Sequence, residues 1–288
     1  MRPIDRVLGL KIWQGEVVAD PLGGGITNVN FRVRDGRGSC VVRVGDDIPV
    51  HQIMRFNELA ASRAAYLAGV SPQVLHHEPG LLVIDFIEGR TLTAADLCDW
   101  ALDQALEMVI RTHRDIPRHL RGPSLTFWVF QVIRDYALTL TDGDSRHLEA
   151  LPALMTQAQA LEAAVGRIEM VFGHNDLLPA NFLHDGARMW LVDWDYAGWG
   201  SPLFDLGGLA ANAGLSQAQE SVMLTRYFGQ VDRDLMRRYA AMKAAAALRE
   251  AMWSMVSEIH SELDFDYAAY TSANLLTYRA AYDAWTQT

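Results

Sequence analysis

Cysteine is nearly absent, with only Cys40 and Cys98 in 288 residues. Two thiols cannot build a disulfide framework or a cysteine-based zinc set, and a reducing compartment is expected. Basic residues are outnumbered, 25 against 35 acidic, for a net charge of −10. No groove tracking nucleic-acid phosphates is expected from such a chain. No apolar run approaches the roughly 18 residues that span a bilayer, so membrane insertion is not expected. The opening MRPIDRVLGLKIWQG is charged throughout and lacks the apolar centre of a secretory leader, which points to a cytoplasmic protein. Gly-x-Ser-x-Gly is missing, and with it the nucleophile elbow of many serine hydrolases. The nine histidines include no His-Glu-x-x-His pattern, so they read as solvated or helix-terminal residues. Repeats, low-complexity tracts and long Pro/Gly/Ser linkers are also missing. What remains is half hydrophobic and 21% charged, enough apolar material for a sizeable core.

The texture changes along the chain. FRVR, CVVRV and LLVIDFI are short β-branched runs bounded by Gly, Asp and Pro, which predicts strands. Between the last two, Ile53, Phe56, Leu59, Ala60, Ala64 and Leu67 recur at helical spacing. Gly69 stands where a C-terminal cap belongs, and Pro72 follows. Beyond Arg90 the spacing predicts helices over about 94–113, 126–140 and 150–166. A strand-turn-strand island, VFGHNDLLPANFLHDGARMWLVDWDYAG, then interrupts, with His184-Asp185-Gly186 as its hairpin turn. The rest reads as helix. The expected fold class is α+β, with a small lobe over 1–88 and a larger helical lobe over 89–288.

The island carries the chemistry. His174-Asn175-Asp176 is followed five residues after the aspartate by Asn181, and twelve residues later by Asp193. Phosphoryl transfer from ATP needs a carboxylate to orient the attacking hydroxyl and take its proton. It also needs an amide oxygen and a second carboxylate to hold Mg²⁺ against the phosphates. Asp176 or Asn181 alone would read as a turn residue. An apolar strand ending in Asp-Trp-Asp after that loop is hard to obtain from turn chemistry.

With these motifs the chain resembles the choline/ethanolamine kinase branch of the aminoglycoside-phosphotransferase superfamily. The likeness runs from GGGITNVNFRV at 23–33 to FDYAAY at 265–270, and is weakest over about 94–166. It implies the protein-kinase-like two-lobed fold, with ATP and Mg²⁺ as cofactors. By the same resemblance Asp176 is the catalytic base, Asn181 and Asp193 hold magnesium, and His174 fixes the loop. Asp195 stands where the family usually has Glu, with a supporting metal or water role. Asp205 would anchor the catalytic loop.

Gly23, Gly24 and Gly25, with Thr27 and Asn28, precede a strand pair and could let backbone approach phosphates. An ordinary hairpin turn would look the same. Arg43 is a cation among apolar neighbours and needs a partner. Glu58, on a helix face otherwise lined by Met54, Ala61 and Ala65, is that expected partner. Together they would aim the guanidinium at the nucleotide; a structural salt bridge is the plain alternative. By resemblance Phe86 and Ile87 belong to an inter-lobe hinge that binds adenine.

On the acceptor side, Leu248, Met252, Met255, Ile259 and Leu263 predict one apolar helix face, with Glu250, Trp253 and Ser257 beside it. Rings next to an acid suit a small organic cation. Read from the residues alone, Trp253, Tyr267 and Tyr270 are core aromatics with polar tips. The resemblance instead places Tyr196, Trp253, Tyr267 and Tyr270 around a cation pocket. It also marks two departures. Glu250 stands where the eukaryotic-type pattern has a first Trp, and Asn212 replaces an acid seven residues after Asp205. A thinner box with a carboxylate admits ethanolamine or another amino alcohol as well as choline. The rival readings are an aminoglycoside, thiamine or sugar acceptor on the same fold, and a non-catalytic nucleotide-binding module. Oligomeric state is not addressed by the sequence.

Overall fold

A short helix α1 (Pro3–Leu8) precedes the strands β1 (Val18–Leu22), β2 (Val29–Asp35) and β3 (Gly38–Val44) in the computed structural model, which describes residues 2–23, 28–261, 263 and 265–288. Helix α2 (Arg55–Leu67) follows, then β4 (Val74–Glu78), β5 (Leu81–Asp85) and the two-residue β6 (Arg90–Thr91). The first five strands form one antiparallel sheet in the order β1-β2-β3-β5-β4. Alternation drives it: Phe31, Val33, Cys40, Val42, Val44, Leu81 and Val83 bury one face, closed by Val7 of α1 and Leu10. The three runs marked as strands are β2, β3 and β5. Edge strand β4 was not anticipated, because its His76-His77 pair breaks the apolar pattern.

Helix α2 ends as expected, with Gly69 left-handed at φ +67°. Its Ala61, Ala64 and Ala65 do not join the sheet core. They pack into the larger cluster with Leu106, Val109 and Ile133 of the helical part. The small lobe is thereby clamped to the large one through a helix of its own.

The large part begins with α3 (Ala94–Cys98) and α4 (Leu102–Asp115), where one helix was expected over 94–113. Asp99 leaves helical geometry at φ −117°, ψ −104°. Asp96 is already committed to a capping box with Thr93, and its carbonyl accepts the Ala101 N–H at 3.0 Å. Apolar spacing hides the break because Leu97, Ala101 and Ala105 are all buried. Next come α5 (Val129–Asp142) and α6 (Leu151–Val165), close to the expected bounds. The island supplies β7 (Val171–Gly173), β8 (Phe182–His184), β9 (Met189–Leu191) and β10 (Gly198–Gly200). β8 and β9 are the predicted hairpin. Asp185 Oδ1 accepts the N–H groups of Ala187 and Arg188, each at 2.8 Å, and so shapes the turn.

Four helices complete the chain: α7 (Pro202–Ala213), α8 (Gln217–Phe228), α9 (Arg233–His260) and α10 (Tyr267–Thr286). α9 runs 28 residues and is the axis of this part. The sequence suggested one apolar face, but Ile259 and Leu263 are exposed, while Trp253, Ser254 and Ser257 are as buried as Met252. The helix is enclosed because α5, α6, α7 and α10 all pack on it. α7 comes especially near: a Cβ at Gly207 would lie 3.0 Å from Lys243 Cα. Gly207→Val should therefore cost about 1–3 kcal/mol by overpacking, read as a lower melting temperature. No helix among the described residues is long and apolar enough to cross a membrane.

Candidate active site

The loop between β7 and β8 carries Asp176 and Asn181, and Asp193 follows β9. Asp205 fixes this loop from α7. Its Oδ2 accepts the His174 N–H at 2.8 Å and its Oδ1 the Asn175 N–H at 2.7 Å. His113 Nε2 holds the same Oδ2 at 2.9 Å. Burial pushes the Asp205 pKa up, but the His113 contact and the backbone donors more than offset it, so the carboxyl stays below its ordinary value. His113, in the last turn of α4 and buried, thus serves the loop from within the helical part. His174 bridges to Asp193's strand, its Nε2 lying 2.9 Å from the Val192 carbonyl.

Two non-glycine residues here have left-handed backbone, Asn175 at φ +62° and Asp193 at φ +72°. Such conformations cost about 1–3 kcal/mol and need surrounding bonds to hold them. Asn175 has them: its amide Nδ2 donates to the Tyr196 carbonyl at 3.0 Å. Asp193 is near enough for its charge to add to burial in raising the Asp176 pKa. Asn181 Nδ2 donates to the Asp176 carbonyl at 2.9 Å, which leaves its Oδ1 as an acceptor.

A cleft of about 430 Å³ separates the sheet from this loop. Arg43, Glu58, Phe86, Asn181 and Asp193 all line it, as do Gly23 and Ile87. Gly24, Gly25 and Thr27 lie outside the described residues. Arg43 reaches across from β3. Its Nη1 is 2.5 Å from Glu58 Oε1 and 2.5 Å from Asp195 Oδ1, and its Nη2 is 2.6 Å from Asp193 Oδ1. Burial alone would lower the Arg43 pKa; the three carboxylates hold it well above its ordinary value. The expected Arg43–Glu58 pair is present, within a wider network.

Sequence reasoning missed Arg55 in that network. Its Nη1 is 2.7 Å from both Glu58 Oε2 and Asp195 Oδ1, and its Nη2 donates to Asn28 Oδ1 at 2.6 Å. Asn28 in turn donates to Asp195 Oδ2 at 3.0 Å. Asn28 and Asp195 therefore join the lobes here, and both Asp195 oxygens are engaged by protein donors. The signal for Arg55 was its place three residues before Glu58 on a helix.

Two guanidiniums face three carboxylates in this network, so the pocket retains negative charge. Asp193 Oδ1 is buried and accepts no hydrogen bond, although Arg43 stands close. Burial raises the Asp193 pKa, and Arg43 outweighs that, so the group remains an anion. Hard oxygen donors from one carboxylate and one amide fit Mg²⁺, which is usually completed by phosphate oxygens and water. Among the described residues no three His, Cys, Asp or Glu side chains could hold a metal unaided.

Asp176 is half-buried. Burial pushes its pKa up to about 8; Arg249 opposes this, while Glu250, Asp193 and Asp195 add to it. A small cavity of about 60 Å³ lies against Asp176, lined also by Asn212, Arg249, Glu250 and Asn274.

The predicted aromatic residues do come together. Trp253 Nε1 donates to the Tyr196 hydroxyl at 2.8 Å, and its ring lies 6.1 Å from Tyr267 and 6.3 Å from Tyr270. The Tyr270 hydroxyl donates to Glu250 Oε1 at 2.7 Å. One face of Trp253 and one of Tyr196, however, are taken by the protein itself. His51 stacks on Trp253 at 5.0 Å, and the Arg249 guanidinium sits 4.2 Å over Tyr196. Arg249 and His51 were not singled out from sequence. Arg249 carried the same signal as Arg43, a lone cation in an apolar run.

The chain has relatives. The phosphotransferase enzyme family model (APH) matches residues 18–262, so the chain belongs to that family. Protein LicA of Haemophilus influenzae is 26% identical over 264 residues, covering 85% of this chain and 75% of LicA. Ethanolamine kinase 2 of Mus musculus is 23% identical over 279 residues, covering 85% of this chain and 71% of the mouse protein. Among solved structures, a choline/ethanolamine kinase family protein from Mesorhizobium loti superposes with a TM-score of 0.75 at 27% identity. The match covers 94% of this chain and 89% of that one. The kinase-like α+β fold and the family resemblance expected from sequence are both borne out.

Proposed function

We propose that this chain is an ATP- and Mg²⁺-dependent phosphotransferase that phosphorylates the hydroxyl of a small amino alcohol of the choline and ethanolamine class. One observation carries the reading: Asn181 and Asp193 line one side of a cleft whose other wall presents Arg43 and Glu58, and Asp176 is tied to the same loop through its carbonyl, which accepts from Asn181 Nδ2. The lobe boundary near residue 88 is part of the proposal, because it places the cleft at the junction. Asp176 would orient the acceptor hydroxyl and accept its proton as the oxygen bonds to the γ-phosphorus and the bond to ADP breaks. Arg43, held by Glu58, would position the donor phosphates from the sheet side. Asn181 and Asp193 would hold magnesium, which when bound offsets charge on the phosphates. Phe86 and Ile87 line the same cleft, in keeping with an adenine site there. The acceptor would enter beside Glu250, where the volume against Asp176 suits a small molecule better than a multi-ring aminoglycoside.

A panel of hydroxyl acceptors with Mg·ATP, read as ADP release, tests this. Turnover of small amino alcohols above the ATPase background supports it; turnover confined to aminoglycosides, thiamine or sugars would replace it. Glu250→Gln should raise the acceptor KM at least tenfold, since a hydrogen bond to a charged group contributes about 1.5–3 kcal/mol. The KM for ATP should stay within about twofold, because Glu250 does not line the nucleotide cleft. Equal losses for both substrates would move the acceptor away from Glu250.

A further inference from the structure

Among the described residues that line the cavity beside Asp176 are Arg249, Glu250 and Asn274, but none of Tyr196, Trp253, Tyr267 and Tyr270. One side chain accounts for the missing rings. Arg249 is only 4% exposed, and its guanidinium lies 4.2 Å over the Tyr196 ring and 5.7 Å from that of Phe127. It also holds Glu250 Oε2 at 3.0 Å and bonds the Tyr136 hydroxyl. The protein thus supplies its own cation to the ring face that an alkylammonium would use. Contacts to a ring, a carboxylate and a phenol fix it there.

The neighbouring carboxylate keeps room for a ligand. Glu250 Oε1 accepts from the Tyr270 hydroxyl at 2.7 Å and Oε2 from Arg249, one bond to each oxygen. An ionised carboxylate has about four acceptor sites, so about two remain for N–H donors. A primary ammonium can donate to them, whereas a quaternary one carries no N–H and would bury them unpaired. Size agrees with this. At roughly 10–15 Å³ per water-sized group, the cavity of about 60 Å³ holds about four to six such groups, against four non-hydrogen atoms in ethanolamine and seven in choline.

We propose that Arg249 is the acceptor-selectivity residue: by occupying the Tyr196 face it excludes quaternary ammonium alcohols and leaves Glu250 to select a primary one. The inference deepens the amino-alcohol reading and rests on it. The acceptor's hydroxyl faces Asp176 and its ammonium donates to Glu250, and both carboxyl groups line the cavity. A trimethylammonium in that place would set its charge against the guanidinium, where like charges repel.

Calorimetry on the full chain with Mg·ADP bound would read a series from ethanolamine, through its N-methyl and N,N-dimethyl derivatives, to choline. Affinity should fall along the series, with choline at least tenfold weaker than ethanolamine. Arg249→Ala frees the ring face, so the ratio of the choline Kd to the ethanolamine Kd should drop at least fivefold. Arg249→Gln keeps a donor toward Glu250 without the charge. It should move the ratio the same way by less, and it serves if the alanine variant does not fold. Choline binding as tightly as ethanolamine, a ratio unmoved in the folded variants, or no binding of either alcohol would overturn the assignment. Failure of the phosphotransfer reading looks different: no ADP release with any acceptor, while the binding series still decides the role of Arg249.

Discussion

Asp176→Asn is expected to lower kcat by a factor of about 10² to 10⁴, the usual contribution of a general base. The Kd for Mg·ATP should change by less than about threefold, because Asp176 is not among the residues lining the nucleotide cleft. Single-turnover transfer and nucleotide binding, measured separately, check both halves. Retained turnover would remove Asp176 from the base role.

The same residue sets a pH dependence. Burial first, then the neighbouring carboxylates, push Asp176 up to about 8, with Arg249 opposing. Its charged form is needed to accept a proton. The kcat/KM of the free enzyme should therefore rise with pH to a plateau above about 8. Stability runs the other way. A carboxyl with a raised folded-state pKa binds more protons folded than unfolded between about 4 and 8, so folding weakens as pH rises through that window. Asp176→Asn removes this burden. The variant's melting temperature should gain on the wild type between pH 5 and 8, measured without nucleotide or metal. The gain should be modest, since solvent still reaches the half-buried group.

What the sequence revealed and what it hid have physical reasons. Asp176, Asn181 and Asp193 lie within 18 residues, so spacing alone put them on one loop and strand. Arg43 and Glu58 could be paired because a charge in a β-branched run and an acid on an apolar helix face each need a partner. Asn28 and Arg55 were harder. Their bonds to Asp195 span 167 and 140 residues, and nothing local marks such a contact. The aromatic cluster was legible as a set, but the protein groups that cover two of its ring faces were not. Ring spacing on α9 and α10 tells which rings meet, but not that His51, about 200 residues earlier in the chain, stacks on Trp253. The break between α3 and α4 was invisible for another reason: a helix can stop while its buried stripe continues.

Arg43→Met should have the second large effect, through the lobe junction. Arg43 contacts Glu58, Asp193 and Asp195, and only Arg55 would remain to face them. Removing one partner of a buried ion pair costs about 3–5 kcal/mol, because the stranded charge has lost its solvent. Asp193, at 32% side-chain exposure, is relieved by water; Glu58 and Asp195, each at 3%, are not. A loss of that size should lower the melting temperature by roughly 6 °C or more. The KM for ATP should rise at least tenfold, since the guanidinium faces the nucleotide cleft. Burial first, with Asp193 and Glu58 adding, already pushes Asp195 up to about 6 against Arg43 and Arg55. Without Arg43 it would titrate higher still, and protonation would relieve the repulsion. The variant's deficit in melting temperature should therefore shrink on going from pH 7.5 to pH 5. Arg43→Lys keeps the charge but offers a point contact in place of a fork, and should fall between the two. A methionine variant with wild-type stability and an unchanged KM for ATP would make Arg43 a dispensable surface cation, and the network across the junction would hold neither the lobes nor the nucleotide.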